Sequence, residues 1–180
     1  DKAQYQFKVS VDDVLNDREI SYPLTRAMCA PIGDGAAAAL VCSSKGLKYF
    51  PAEIQKSAIK IKASVLSGGK YRTPQELGLS RIAAKKAYKQ AELEPKDVDI
   101  VEVHDATSFC EIYQLEMLGF CEIGSGGKFV EKGHTQLGGK LPVNLSGGLV
   151  SKGHPVGATG LSMIHELAVQ LKGEAGKRQS

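Results

Sequence analysis

The chain has 180 residues, of which 42% are apolar and 24% charged, with a formal net charge of +3. That is the composition of a globular domain large enough to bury a core. No apolar run approaches the ~20 residues of a membrane span, and so small a charge leaves no footprint for nucleic acid. Neither partner is expected.

The four cysteines, Cys29, Cys42, Cys110 and Cys121, include no C-x-x-C pair. Their spacing argues against a zinc ribbon or a redox pair, and no metal site is expected. Reduced thiols are the simplest reading, with a disulfide left open. The chain begins with Asp1 and shows no signal peptide, so it is expected to be cut or processed at its start.

Residues 1–22 are polar and mixed and read as a peripheral connection, with residues 23–180 as the domain. Ser10 with Asp12 and Asp13 resembles the start of a short helix, in which Val14 and Leu15 make the apolar contacts. Pro23 closes that region. Gly33-Asp34-Gly35 is a turn, and the apolar run from Ala36 to Cys42 fits a strand buried on both faces. Residues 43–58 read as a helix interrupted at Pro51. Ile59, Ile61, Ala63 and Val65 alternate with polar residues, which signals a half-exposed strand ending at Gly68-Gly69.

Thr73-Pro74-Gln75-Glu76 reads as a helix start with a capping box and proline in the first turn. That helix is expected to reach about Leu93, with Leu77, Arg81, Ala84, Tyr88 and Ala91 along one stripe. Val98–Val103 is the best strand of the chain and ends at His104-Asp105, the end at which α/β sheets place ligands. Ser108 to Glu111 suggests a second capping box, opening a helix that Gly119 terminates. Residues 124–139 are Gly-rich and read as a long irregular loop holding His134. Strand and helix in alternation point to an α/β architecture.

The stretch from Asn144 to Gly160 follows: Asn-Leu-Ser-Gly-Gly-Leu-Val-Ser-Lys-Gly-His-Pro-Val-Gly-Ala-Thr-Gly. It locks His154 between Gly153 and Pro155. Leu161, Ile164, Leu167, Ala168 and Leu171 then recur at helical spacing. Gly157 and Gly160 are expected to serve helix packing. A histidine held in a Gly-rich turn before a helix is a candidate acid or base. On residues alone, a structural loop with a surface histidine is an equal reading. The same holds for His104, which a buried strand-end histidine would explain as well. Lys172, Lys177 and Arg178 read as a solvated helix end.

Asn-x-x-Gly-Gly-x-x-x-x-Gly-His-Pro-x-Gly-x-x-Gly resembles the signature loop of the thiolases, in particular the sterol-carrier-protein-2 type. Val103-His104-Asp105-Ala106-Thr107 resembles the His-Asp-Cys-Phe motif of that type, where other thiolases have Asn-Glu-Ala-Phe. Asp34-Gly35-Ala36-Ala37-Ala38 resembles the segment that opens the thiolase C-terminal half. The resemblance runs from near residue 7 to the end. It implies a layered α/β half-domain, a mixed sheet covered by helices, that looks truncated at both ends and so carries an exposed sheet edge.

By the same resemblance, His154 activates a cysteine nucleophile and His104 helps hold an oxyanion on the thioester oxygen. Ser146, Gly147, Gly148 and Gly153 line the substrate. The resemblance implies an acyl-CoA thiolase working by thiolysis or Claisen condensation. Coenzyme A thioester enters as substrate, no other cofactor is implied, and a homo-oligomer, dimer or tetramer, is expected. The location implied is the cytoplasm, or the peroxisome in a eukaryote.

The chain also departs from the family pattern. Thiolases take their nucleophile from the N-terminal half and a second cysteine from a Cys-Gly motif near the C-terminus. None of the four cysteines here stands in either context, so the chain is not expected to act alone. Thr107 stands where the family often has an aromatic residue. Two alternatives therefore stay open: a thiolase-like aldolase working on acyl-CoA with a zinc-ribbon/OB-fold partner, and a non-catalytic thiolase-like subunit.

Overall fold

The computed structural model describes residues 3–69, 71–73 and 75–180. The chain opens with α1 (Val11–Leu15), whose start is set by reciprocal hydrogen bonds. The Ser10 hydroxyl accepts from the Asp13 N–H at 3.1 Å, and the Asp13 carboxylate accepts from the Ser10 N–H at 2.8 Å. A small antiparallel hairpin follows, β1 (Glu19–Ser21) and β2 (Leu24–Thr25). The Thr25 hydroxyl donates to the Val14 carbonyl at 2.6 Å and ties the hairpin to α1. Val14 is half-buried, while Leu15 stays exposed.

Pro51 splits the next region into α2 (Ser44–Leu47) and α3 (Ala52–Ser57), as its missing N–H and fixed φ require. The helices α4 (Leu79–Ala91), α5 (Ser108–Leu118), α6 (Gly126–Glu131), α7 (Gly148–Lys152) and α8 (Thr159–Leu171) complete the order.

The core lies where the 98–103 segment meets α5; the strand expected there reduces to a single bridge at Val101 among the described residues. Val101, Val103, Leu115, Leu141 and Val143 form one buried cluster, with Val98, Leu118, Phe120, Phe129 and Val130 packed against it. Val101 and Val143 make a parallel bridge: the Val101 N–H donates to the Pro142 carbonyl at 3.0 Å, and the Asn144 N–H donates to the Val101 carbonyl at 2.8 Å. The Leu141 and Val143 N–H groups bond the His134 and Thr135 carbonyls on the other side. Burying these five apolar side chains supplies the main local driving force.

The helix α4 packs on α5 through the expected stripe. Ala84 is buried, the Arg81 guanidinium donates to the Glu116 carbonyl at 3.3 Å, and the Tyr88 hydroxyl donates to the Leu118 carbonyl at 2.9 Å. These polar tips reach the last turn of α5, whose carbonyls have no partner within the helix.

Several expectations are corrected. Residues 36–42, expected as a strand buried on both faces, and 59–65, expected as a half-exposed strand, form no paired strand among the described residues, and both are mostly exposed. An extended run becomes a strand only when a neighbour takes its N–H and C=O groups. The α4 helix begins at Leu79 instead of Thr73, although the Thr73 N–H does donate to the Glu76 carboxylate at 3.2 Å. Pro74 lies outside the described residues.

The helix α5 is capped by the backbone of Thr107, and no Ser108–Glu111 box forms, because Glu111 turns inward to Asn144. Gly119 does end it, at φ +85°. Residues 124–139 contain α6, so the segment is not wholly irregular.

In α8 the apolar stripe points outward: Ile164 and Leu171 are exposed, and the buried side carries Thr159, Glu166 and Gln170. The 174–180 tail folds back onto that polar side. Arg178 pairs with Glu166 at 3.0 Å, and the Gln170 amide donates to the Arg178 carbonyl at 2.8 Å. Arg178 is thus a packed partner rather than part of a solvated end. Gly157 and Gly160 face open space and pack against nothing.

Candidate active site

The two candidate histidines meet. The His104 and His154 rings lie edge to face, with centroids 4.7 Å apart and planes at 83°. Fifty residues separate them in sequence, so the contact is built entirely by tertiary structure.

One side of the site is the end of the 98–103 segment. The Val103 N–H donates to the Asn144 side-chain carbonyl at 2.8 Å, so an asparagine side chain continues the ladder where the backbone of its own strand turns away. Asn144 makes that turn at φ +52°, a conformation asparagine tolerates better than most residues.

Asp105 is buried directly behind His104, and its carboxylate accepts the Leu149 N–H at 2.8 Å, in the first turn of α7. Free N–H groups of a first turn suit a carboxylate. Gly148 stands between them at φ +64°, and a Cβ there would run into the Asp105 carboxylate. Only glycine meets both demands.

The other side is the His154 loop. Residues 29–32 join the two. Cys29 pairs antiparallel with Thr107, and the Ala30 N–H donates to the Ala106 carbonyl at 2.9 Å. Ile32 pairs parallel with His154, whose N–H donates to the Pro31 carbonyl at 2.8 Å. One segment, residues 29–32, therefore sets the distance between the two histidine-bearing segments. Within the loop, His154 Nδ1 lies 2.7 Å from the Thr159 hydroxyl oxygen, and Thr159 is buried at the start of α8. Burial holds the His154 imidazole below the ordinary histidine range, His104 adds to this, and Asp105 opposes it. His154 is therefore neutral at physiological pH, the form in which a ring nitrogen can accept a proton.

A buried polar network supports the loop from beneath. The Ser146 hydroxyl donates to Glu102 Oε2 at 2.7 Å and accepts from Lys152 Nζ at 2.7 Å, while the Ser146 N–H donates to Glu102 Oε1 at 3.1 Å. Burial pushes the Glu102, Asp105 and Glu111 carboxyls up. Hydrogen bonds oppose this for all three, and Lys152 opposes it for the first two.

The structure thus brings His104, His154 and Ser146–Gly148 into one region. The N–H groups of Ser146, Gly147, Gly148 and Leu149 are already engaged, with the Glu102 carboxylate, the Asn144 backbone carbonyl, Ser146 Oγ and the Asp105 carboxylate respectively. Gly153 is buried, and a Cβ on it would meet the Gln4 side chain.

Sequence reasoning missed Glu102, Lys152 and Thr159 as parts of the site. Thr159 was recoverable, since a hydroxyl five residues after a histidine, across a Pro-Gly turn, can fold back on the ring. No local signal marks Glu102 or Lys152. Among the described residues no group of three or more metal-ligating side chains is found.

The comparisons with known proteins identify the family. The family described as thiolase C-terminal domain-like matches residues 72–180, and the chain belongs to that family. It is 42% identical to an acetyl-CoA acetyltransferase of Methanothermobacter thermautotrophicus over 99% of this chain and 47% of that protein. It is 41% identical to sterol carrier protein 2 of Rattus norvegicus over 98% of this chain and 34% of that protein. The chain spans between a third and a half of the length of these relatives. A solved structure titled Ltp2-ChsH2(DUF35) aldolase aligns with a TM-score of 0.64 at 21% identity, covering 95% of this chain and 45% of that one, which shows a shared α/β fold.

Proposed function

We propose that this chain is the C-terminal half of an acyl-CoA thiolase, an acyltransferase that cleaves or forms the carbon–carbon bond beside a thioester. The observation that carries the proposal is the contact between His104 and His154. In this reading His154 is the general base that takes the proton of a cysteine thiol. The cysteine is supplied outside the portion that this chain shares with its relatives. In thiolysis the thiolate attacks the 3-keto carbon, the carbon–carbon bond beside it breaks, and acetyl-CoA leaves as an enolate that is then protonated. His104 donates to the thioester oxygen, where that negative charge builds. Free coenzyme A finally takes the acyl group from the cysteine. Fixed donors at a developing oxyanion are among the largest contributors to such rates.

His154 suits the role because it stays neutral near physiological pH. Gly147, Gly148 and Gly153 enter as a wall for the substrate, offering backbone edges rather than N–H donors. Coenzyme A enters only as substrate, in the thioester and as the free thiol that thiolysis consumes. A homo-oligomer, in the cytosol or a peroxisome, belongs to the same proposal.

The test is thiolysis of acetoacetyl-CoA by the native protein and by its His154→Gln form. Loss of a general base costs about 10²–10⁴-fold in kcat, and that loss is expected with the circular dichroism spectrum unchanged. Turnover within a few-fold of the unaltered protein would remove His154 from the mechanism. Release of an aldehyde or ketone from a 3-hydroxyacyl-CoA, with no use of free coenzyme A, would assign the site to carbon–carbon lyase chemistry instead.

A further inference from the structure

We infer that Thr159 is a positioning residue that fixes His154 in one tautomer, with the proton on Nδ1 and the lone pair on Nε2. The argument is a count of donors and acceptors. Thr159 Oγ1 lies 2.7 Å from His154 Nδ1 and 3.1 Å from the Pro155 carbonyl oxygen. The hydroxyl has one hydrogen to give and lone pairs to accept with. The Pro155 carbonyl is an acceptor only. It already takes the Ala158 N–H at 2.8 Å and the Thr159 N–H at 3.0 Å, so the hydroxyl joins them as a third, shared donor.

If the hydroxyl donates to Pro155, then Nδ1–H donates to the hydroxyl and both contacts are hydrogen bonds. If the hydroxyl donates to Nδ1 instead, the Pro155 contact is lost. Thr159 is 2% exposed, so water has no room to make up the difference. The first arrangement makes one hydrogen bond more than the second, and the Nδ1–H tautomer is favoured by up to about the net worth of one shared hydrogen bond.

The relay runs from Nδ1–H to Thr159 Oγ1–H to the Pro155 carbonyl, and it is closed within the loop and first turn of α8 that hold the histidine. It also clamps the ring orientation, because Oγ1 is held by the helix backbone. Rotating the ring by a half turn would break the bond at Nδ1. The free Nε2 lone pair is then the proton acceptor. When it takes the thiol proton, the thiol becomes a thiolate, and the imidazolium keeps its Nδ1–H bond to Thr159.

The catalytic consequence rests on the thiolase reading; the tautomer itself rests on the geometry alone. The experiment therefore has two separate readouts. In the uniformly ¹⁵N-labelled chain, long-range ¹H–¹⁵N correlation above the histidine pKa distinguishes the two ring nitrogens of each histidine. The chain has four histidines, and His154 is assigned by the signals missing from His154→Gln. The expected result is a pyrrole-type Nδ1 and a pyridine-type Nε2 for His154.

Thr159→Val should lose this preference, with both nitrogens moving toward exchange-averaged shifts, and Thr159→Ser should restore it. A protonated Nε2 in the unaltered chain, or an unchanged pattern in Thr159→Val, would overturn the inference. If Thr159→Val does not fold, the unaltered chain and Thr159→Ser still decide it.

In the native protein, Thr159→Val is expected to lower kcat for thiolysis about 10- to 100-fold, by analogy with outer-shell partners of other catalytic imidazoles, with KM unchanged and Thr159→Ser near the unaltered rate. Absence of thiolysis in the unaltered protein would defeat the thiolase reading and leave the tautomer result standing.

Discussion

Glu111 is the least supported of the three buried carboxylates beneath the site. Glu102 has two hydrogen bonds from Ser146 and Lys152 nearby; Asp105 holds the first turn of α7. Glu111 accepts one long bond, 3.4 Å, from the Asn144 amide, and Asp105 and Glu102 add to the rise that burial causes. A carboxyl whose folded pKa is raised binds its proton more tightly in the folded state, so ionising it costs stability.

That cost is absent below the unfolded value of 4.5 and grows as the pH climbs through the folded value. Glu111→Gln should therefore raise the urea midpoint at about pH 7, where the charge is removed, and leave it nearly unchanged at about pH 4, where both forms are neutral. An advantage that persists equally at the lower pH would mean that the gain comes from packing. At this scale His154 was legible from its glycine and proline neighbours, and His104 from its place at the end of the apolar 98–103 run. Their meeting was not, because it depends on residues 29–32, whose pairing with both segments no local pattern encodes.

At the scale of elements, the period of 3.6 reports that a helix has an apolar face but not what will cover it. In α4 the stripe and the packing agree, through Ala84 and Tyr88. In α8 they part: the apolar side is open, and the polar side is held by the chain's own tail. The Glu166–Arg178 pair carries that attachment. Burial pushes the Glu166 carboxyl up, but its bonds from Arg178 and Gln170 outweigh this and bring it below its ordinary range.

Removing the cation leaves the buried Glu166 carboxylate, among the described residues, with only the neutral Gln170 amide as a hydrogen-bond donor. Arg178→Met should destabilise the chain by about 1–3 kcal/mol, measured by urea unfolding. Glu166→Gln with Arg178→Met should recover part of the loss. Because the folded Glu166 pKa is lowered, its stabilisation is present above the unfolded value and falls away with acid, so the Arg178→Met effect should shrink as the pH drops through that range. A double variant less stable than Arg178→Met alone would count against this account.

For the molecule as a whole, the alternation of strand and helix gave the fold class, and the structural comparison agrees with it. The sheet was less legible. Residues 36–42 and 59–65 have strand-like sequences, yet among the described residues they have no paired strand partner. Strand character is a property of pairs, so one segment's sequence cannot supply it. What the described residues do assemble is the part that holds two histidines together: the end of the 98–103 segment, linking segment, Gly-rich loop and the first turn of α8. The exposed stripe of Leu161, Ile164 and Leu171 lies on the same helix that anchors Thr159.

The central claim is that His104 and His154 form one catalytic unit, and a double-mutant cycle tests it most directly. Thiolysis of acetoacetyl-CoA would be measured for the native protein, His104→Gln, His154→Gln and the double variant. Residues that act as a unit are strongly non-additive. The double variant is expected to be about as slow as the slower single variant. If the losses of the two single variants instead multiply, the histidines act independently, and their contact in the fold is packing rather than mechanism.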